Sequence, residues 1–159
     1  MLSDFVRTFR KFKPDVVITR FPEDGRGGHG HHTASAILAR EAFEASGDMS
    51  KYPELAKEFG AWSPKKLLFN THPYFFGRDK QDTSKYVSED LGLYNPLLGK
   101  SYPEIASLSR SMHKSQGFGS TGTRGSQMEY FVPVVGEPTT GMFDGIDATW
   151  NRVEGGGKV

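Results

Sequence analysis

Near the start of the chain, apolar residues recur at helical spacing. Phe5, Phe9 and Phe12 stand at i, i+4 and i+7, with Arg7, Arg10 and Lys11 between them and Lys13 after. This predicts an amphipathic helix over Leu2 to Lys13 whose basic residues face away from the core. Ser3 is placed to cap it, Asp4 suits its first turn and Pro14 ends it. The period then changes. Val16, Val17 and Ile18 are consecutive apolar residues, as in a parallel strand buried on both faces, here Val16 to Arg20. A second apolar stripe, Ala34, Ile37, Leu38, Ala42 and Ala45, predicts a helix from Thr33 to Ala45 with Gly47 as its C-cap. A shorter helix is expected over Lys51 to Phe59, and a strand over Lys66 to Asn70.

The pattern is less regular further on. Thr71 to Gly77 reads as an aromatic loop, either a cleft wall or local core, and Arg78 to Glu89 as polar and exposed. Leu91 to Gly99 is turn-rich. Ser101 and Glu104 form a capping box with Pro103 in the first turn, opening a helix that runs to about Gln116. A flexible loop precedes the last expected strand, Met128 to Val135, and from Gly136 the chain reads as an irregular extension or linker. Helix, short turn, buried strand, loop and helix make an α/β fold. The leading helix and strand are half of a βαβ unit whose first strand is absent, so the fold is expected to be incomplete at its N-terminus.

Composition narrows the function classes. The 159 residues fit one domain with a real core. Twenty basic and 19 acidic residues leave a net charge of +1, which gives no general pull toward nucleic acid or anionic membrane. There is no cysteine, which excludes a disulfide scaffold and a thiolate metal site. No apolar run reaches the ~18 residues of a membrane span, and the N-terminus is not a signal peptide. The expectation is a soluble protein of the bacterial cytoplasm or periplasm.

Candidate chemistry concentrates in Arg20 to His32, the loop between the first strand and the second helix. It carries His29, His31, His32, Glu23, Asp24, Arg20 and Arg26, with four glycines, Gly25, Gly27, Gly28 and Gly30. This is the carboxyl end of a strand, where open α/β sheets bind ligands. Imidazole and carboxylate are the groups a zinc site uses when cysteine is absent, and a catalytic zinc needs three protein ligands plus an open position. One helical turn separates His29 from His32. HxxH alone is a weak pattern, and a surface loop carrying unrelated histidines is its commoner source. A second polar cluster, Arg110, His113, Lys114, Ser115 and Gln116, falls at the end of the Ser101 helix. There a cation suits the helix dipole by itself, and Ser115 and Gln116 carry groups suited to sugar hydroxyls.

The stretch PDVVITRFPEDGRGGHGHHTASAILAREAF resembles the second signature region of the PIG-L (LmbE-like) de-N-acetylases, where a strand ends in a His-Pro-Asp-His type motif that opens a helix. YNPLLGKSYPEIASLSRSMHKSQGFGSTGTRG resembles the downstream part of that family, including its His-x-Ser-Gln element, and FDGIDATWNRVEGG resembles its larger bacterial members. The resemblance implies a Rossmann-like three-layer sheet with helices and zinc-dependent hydrolysis, with another divalent metal as the alternative, of an N-acetyl group from an N-acetylglucosamine-type conjugate. It makes His32 a metal ligand and His29 a stabiliser of the tetrahedral intermediate. Arg20, Asp24, His31, His113 and Gln116 become substrate-binding or supporting residues. His31 stands where the family has Asp, and Gly30 where it has Pro. The family's other signature, Ala-His-Pro-Asp-Asp-Glu, which carries two metal ligands and the general base, does not occur here.

These readings make residues 1–135 the later portion of such a catalytic domain and residues 136–159 an extension. The isolated chain is expected to be inactive and to bind metal weakly. The competing expectation is a non-catalytic carbohydrate-binding or interaction module that kept the cleft. The partners expected are an amino-sugar conjugate, no nucleic acid, no membrane span, and self-association through an exposed sheet edge.

Overall fold

The structure, a computed structural model, describes residues 1–72, 82–115, 119–136 and 141–149. In chain order it has α1 (Leu2–Phe12), β1 (Val16–Thr19), α2 (Gly30–Gly47), α3 (Pro53–Phe59), β2 (Lys66–Thr71), β3 (Val87–Asp90), β4 (Tyr94–Asn95), β5 (Lys100–Ser101), α4 (Tyr102–Ser111) and β6 (Met128–Val135). Four strands form one sheet in the order β1-β2-β6-β3, and β4 and β5 form a second, two-stranded one. The architecture is α/β. No helix among the described residues is long and apolar enough to cross a membrane.

The chain divides into two compact units, Met1–Val87 with Phe131–Val159, and Ser88–Tyr130. In the first unit β1 runs parallel to β2, with Val17 opposite Leu67 and Ile18 opposite Leu68. Val6 and Phe9 of α1, Ala42 of α2 and Leu55 of α3 form one buried cluster, against which Val17 packs. The other sheet face carries Leu68, Val87 and Phe131, with Met142 packed against them and Val16 at the margin. Helices α1 to α3 thus cover one face, while Met142, from a segment of turns, packs against the other. The expected three layers are met in this unit by one helical layer among the described residues. The buried Lys66 secures that segment by donating to the carbonyls of Gly141 and Met142, both at 3.2 Å.

Helix α1 forms as predicted but turns differently. Phe12 is 79 % exposed, whereas Arg10 is fully buried. The apolar stripe is Leu2, Phe5, Val6 and Phe9. Arg10 lies only roughly 40° around the axis from Val6 at 3.6 residues per turn. Its guanidinium donates to five carbonyls at the end of α2 and the turn into α3: Ser46, Tyr52, Ala45, Asp48 and Lys51. Four of these carbonyls, those of Ala45, Ser46, Asp48 and Tyr52, also accept backbone N–H groups, and the five-donor guanidinium takes up their remaining acceptor capacity and that of Lys51. Phe12 closes the helix, because Lys13 turns to φ 56° and carries the chain away.

The second unit contains structure that was expected to be loop. β3 forms within the polar stretch; Val87, buried at its start, belongs to the first unit and the rest of the strand to the second. The turn-rich segment is a hairpin, with Tyr94 opposite Ser101 and Asn95 opposite Lys100. Asn95 Oδ1 accepts the N–H groups of Leu97 at 3.0 Å and Leu98 at 3.2 Å, closing the turn. The capping box is present in full. Ser101 N donates to Glu104 at 2.9 Å and Glu104 N donates to Ser101 Oγ at 3.4 Å. The helix ends at Ser111, short of the expected Gln116. Its last turn tightens to bonds from Met112 N to Ser109 O and from His113 N to Arg110 O, and Leu108 and Met112 are too exposed for packing to extend it.

Candidate functional site

The loop from Arg20 to His29 joins β1 to α2. It is pinned at several points. Arg20 donates from Nη1 to Asn70 Oδ1 at the end of β2. Arg40 of α2 places Nε 2.9 Å from both carboxylate oxygens of Glu23. Asp24 accepts the Arg26 backbone N–H at 3.1 Å and its Nε at 2.7 Å, a local turn closed by an ion pair. The hydrogen bond from the Arg26 side chain, then the one from its backbone, holds the Asp24 carboxyl below the usual range. The loop's two carboxylates are therefore each held by an arginine.

Helix α2 begins at Gly30, earlier than the stripe indicated, because the glycine-rich approach lets the backbone enter the helix before its first apolar residue. His29 is the N-cap, with extended backbone (φ −120°, ψ 142°) and no side-chain cap bond. Its carbonyl accepts from His32 N at 3.0 Å and Thr33 N at 3.3 Å. The three imidazoles meet on this first turn. Ring centroids are 5.2 Å apart for His29 and His32, 4.2 Å for His31 and His32, and 5.5 Å for His29 and His31. His29 and His31 are exposed and His32 is half-buried.

His32 is the most constrained of the three. Its Nδ1 lies 2.9 Å from the Gly27 carbonyl. A carbonyl only accepts, so Nδ1 carries the proton, and whenever the ring holds a single proton Nε2 is bare. Its plane lies 3.7 Å from that of Phe21 by centroid, at an interplanar angle of 3°. Phe21 also lines a crevice of about 130 Å³ at the carboxyl ends of β1 and β2, with Thr19, Pro22, Glu23, Ala36 and Phe69. Thr71 Oγ1, at the end of β2, is buried with no hydrogen-bond partner among the described residues.

The structure thus brings together His29, His31 and His32, with Arg20 and Asp24 on the same loop. His113 lies past the end of α4 in the second unit and is exposed. Gln116 lies outside the described residues. Phe21 and Gly27 were not singled out from the sequence. They sit in an aperiodic loop, and only three-dimensional closure shows that they meet His32.

As to metal, no group of three or more His, Asp or Glu side chains among the described residues is arranged to hold an ion. His32 offers one oriented nitrogen donor, and Glu23 and Asp24 are paired with arginines. These residues alone do not match the three-ligand set of a catalytic zinc site.

No family model and no solved structure matches the chain. Over 95 residues it is 34 % identical to a mycothiol S-conjugate amidase of Streptomyces coelicolor (strain ATCC BAA-471 / A3(2) / M145). The match covers 59 % of this chain and 30 % of the relative, so the chain spans about a third of the length of the protein it resembles. By sequence it is therefore similar, over part of its length, to an amidase.

Proposed function

We propose that this chain forms the histidine-bearing side of an amide-hydrolysing centre that removes the N-acetyl group of an N-acetylglucosamine-type amino-sugar conjugate. The observation that carries the reading is the meeting of His29, His31 and His32 at the carboxyl end of β1, with His32 already oriented through Nδ1. The resemblance of this loop to the PIG-L motif and the identity with an amidase support it. In this reading His29, exposed at the helix N-cap, donates a hydrogen bond to the oxyanion of the tetrahedral intermediate. His32 Nε2 is the metal-facing donor. Arg20 and His31 contact the sugar, and Asp24 acts indirectly, by holding Arg26.

Zinc is the metal implied, with other divalent ions as alternatives. The described residues supply too few donors to hold it tightly, so calorimetric titration of zinc into this chain is expected to show weak or no binding. Tight binding that disappears in His32→Ala would overturn the incomplete-site reading. The activity itself is tested in a protein holding this chain together with a His-Pro-Asp-Asp-Glu segment, by release of free amine from an N-acetylglucosamine conjugate. His29→Ala is expected to slow turnover by about 10²–10³-fold, the effect of removing one oxyanion donor. An unchanged rate would refute its role.

The second reading, a non-catalytic carbohydrate-binding or interaction module, is favoured by the arginine pairing of Glu23 and Asp24. The genomic sequence upstream of Met1 separates the two. An in-frame His-Pro-Asp-Asp-Glu segment supports the enzyme, and a start codon with its own ribosome site at Met1 supports the module.

A further inference from the structure

Two groups separated in sequence close on one imidazole. The Phe21 ring lies flat against His32, 3.7 Å by centroid and 3° from parallel. The Gly27 carbonyl accepts a hydrogen bond from Nδ1–H at 2.9 Å. Gly27 itself is pressed between the two. A Cβ added there would stand 3.1 Å from Phe21 Cδ1 and 3.3 Å from His32 Cβ, tighter than ordinary van der Waals contact.

We propose that Phe21 is a positioning residue for His32, acting with the Gly27 carbonyl to hold that imidazole as the Nδ1–H tautomer with Nε2 presented bare. The two restraints are complementary. The hydrogen bond selects which nitrogen carries the proton and sets the rotation of the ring about its stem. The stack fixes the plane, because an offset or tilted ring would carry Nδ1 off the line to the carbonyl. A free histidine side chain in water favours the opposite tautomer, with the proton on Nε2, so the arrangement works against the intrinsic preference. Neither neighbour does this for the other rings. His29 and His31 are exposed, and their ring contacts are with each other and with His32. Of the three histidines, His32 is thus the one for which the loop fixes both tautomer and plane.

The consequence is a division of labour within one motif. His32 meets its ligand with its geometry already set, and that ligand is an electron-pair acceptor or hydrogen-bond donor: a divalent cation, or an N–H or O–H of substrate. That His32 acts at a reacting centre rests on the function proposed above. The tautomer and its dependence on Phe21 do not, so the two fail separately.

The test is nitrogen-15 NMR of the imidazoles in the whole labelled chain, with no metal or substrate added, at a pH where the rings are neutral. In the wild type, the His32 Nδ1 is expected to resonate as a protonated nitrogen and Nε2 as a bare one. Phe21→Leu keeps apolar bulk but removes the flat face, and its two nitrogen shifts should move toward each other as the tautomers mix. Phe21→Tyr retains the ring and should restore the wild-type pattern, which a merely space-filling role would not require. A wild-type His32 protonated on Nε2 would overturn the proposal. So would a Phe21→Leu chain that keeps the wild-type shifts while its backbone amide spectrum shows it folded. If Phe21→Leu does not fold, the wild-type and Phe21→Tyr spectra still decide, since both must show the Nδ1–H form.

Discussion

Arg10 offers the sharpest test of how this framework is held. Its Nε lies 3.1 Å from the Ser46 carbonyl, Nη1 3.0 Å from Tyr52, and Nη2 3.3, 2.7 and 2.9 Å from Ala45, Asp48 and Lys51. Hydrogen bonds from a charged donor contribute ~1.5–3 kcal/mol each, but they share one side chain and are not additive. Truncation takes the charged donor from five carbonyls, of which those of Ala45, Ser46, Asp48 and Tyr52 keep a backbone N–H, and opens a void that water can enter in part. The working range is the ~3–5 kcal/mol seen when one side of a buried charged arrangement is removed. Arg10→Ala is expected to lose about 4 kcal/mol, which at ~2–4 °C per kcal/mol lowers the melting temperature by roughly 8–16 °C. Arg10→Lys keeps the charge but replaces a planar five-donor fork with three donors at one point, and should lose about half as much. Thermal and urea unfolding followed by far-ultraviolet circular dichroism measures both. An Arg10→Ala chain within 1 kcal/mol of wild type would refute the reasoning. The histidine turn serves as an internal control, since it lies at the other end of an 18-residue helix, about 27 Å away.

Two other outcomes are expected. The Glu104 carboxyl is held down to about 2, first by the Ser101 backbone N–H and then by Arg124 and the Ser101 hydroxyl. Its folded value lies below the ordinary 4.5, so its contribution to α4 is present above that value and lost as pH falls toward 2; Glu104→Gln should abolish that stretch of pH dependence, and a carboxyl NMR titration centred near 4.5 would refute it. Ile18, 48 % exposed on the edge strand β1, is the residue on which self-association is expected to depend. Sedimentation should show concentration-dependent association that weakens in Ile18→Lys, and a wild type monomeric at every concentration would rule this out.

Much of this was legible in the sequence. The consecutive apolar run of Val16 to Ile18 marks β1, and the Ser101 and Glu104 spacing marks the cap of α4, because both signals are local and strong. The histidine cluster is legible for the same reason, since one helical turn relates His29 to His32. The rest depends on tertiary context. Arg10 reads as a solvent-facing cation until α2 is seen to end beside it, and Phe12 reads as core until the chain is seen to turn at Lys13. The strands β4 and β5 are two residues each, too short to show a period. The pairing of Phe21 with His32 has no sequence signal, because no repeat governs which residues of a glycine-rich loop return to one another.

The placement of the histidine loop on β1 has a dynamic consequence. β1 is the outermost strand of its sheet, bonded to β2 on one side. Outer strands open at lower free energy than inner ones, so the amides of Val16 to Thr19 exchange with solvent through smaller excursions than those of β2. Each excursion loosens the root of the loop, while Glu23, its fourth residue, stays fastened to α2 through Arg40. The loop is thus hinged at its strand end and clamped to α2 just beyond. Motion of the edge is taken up between Arg20 and Glu23, and His29, His31 and His32, riding on the first turn of α2, keep their mutual spacing as the strand breathes.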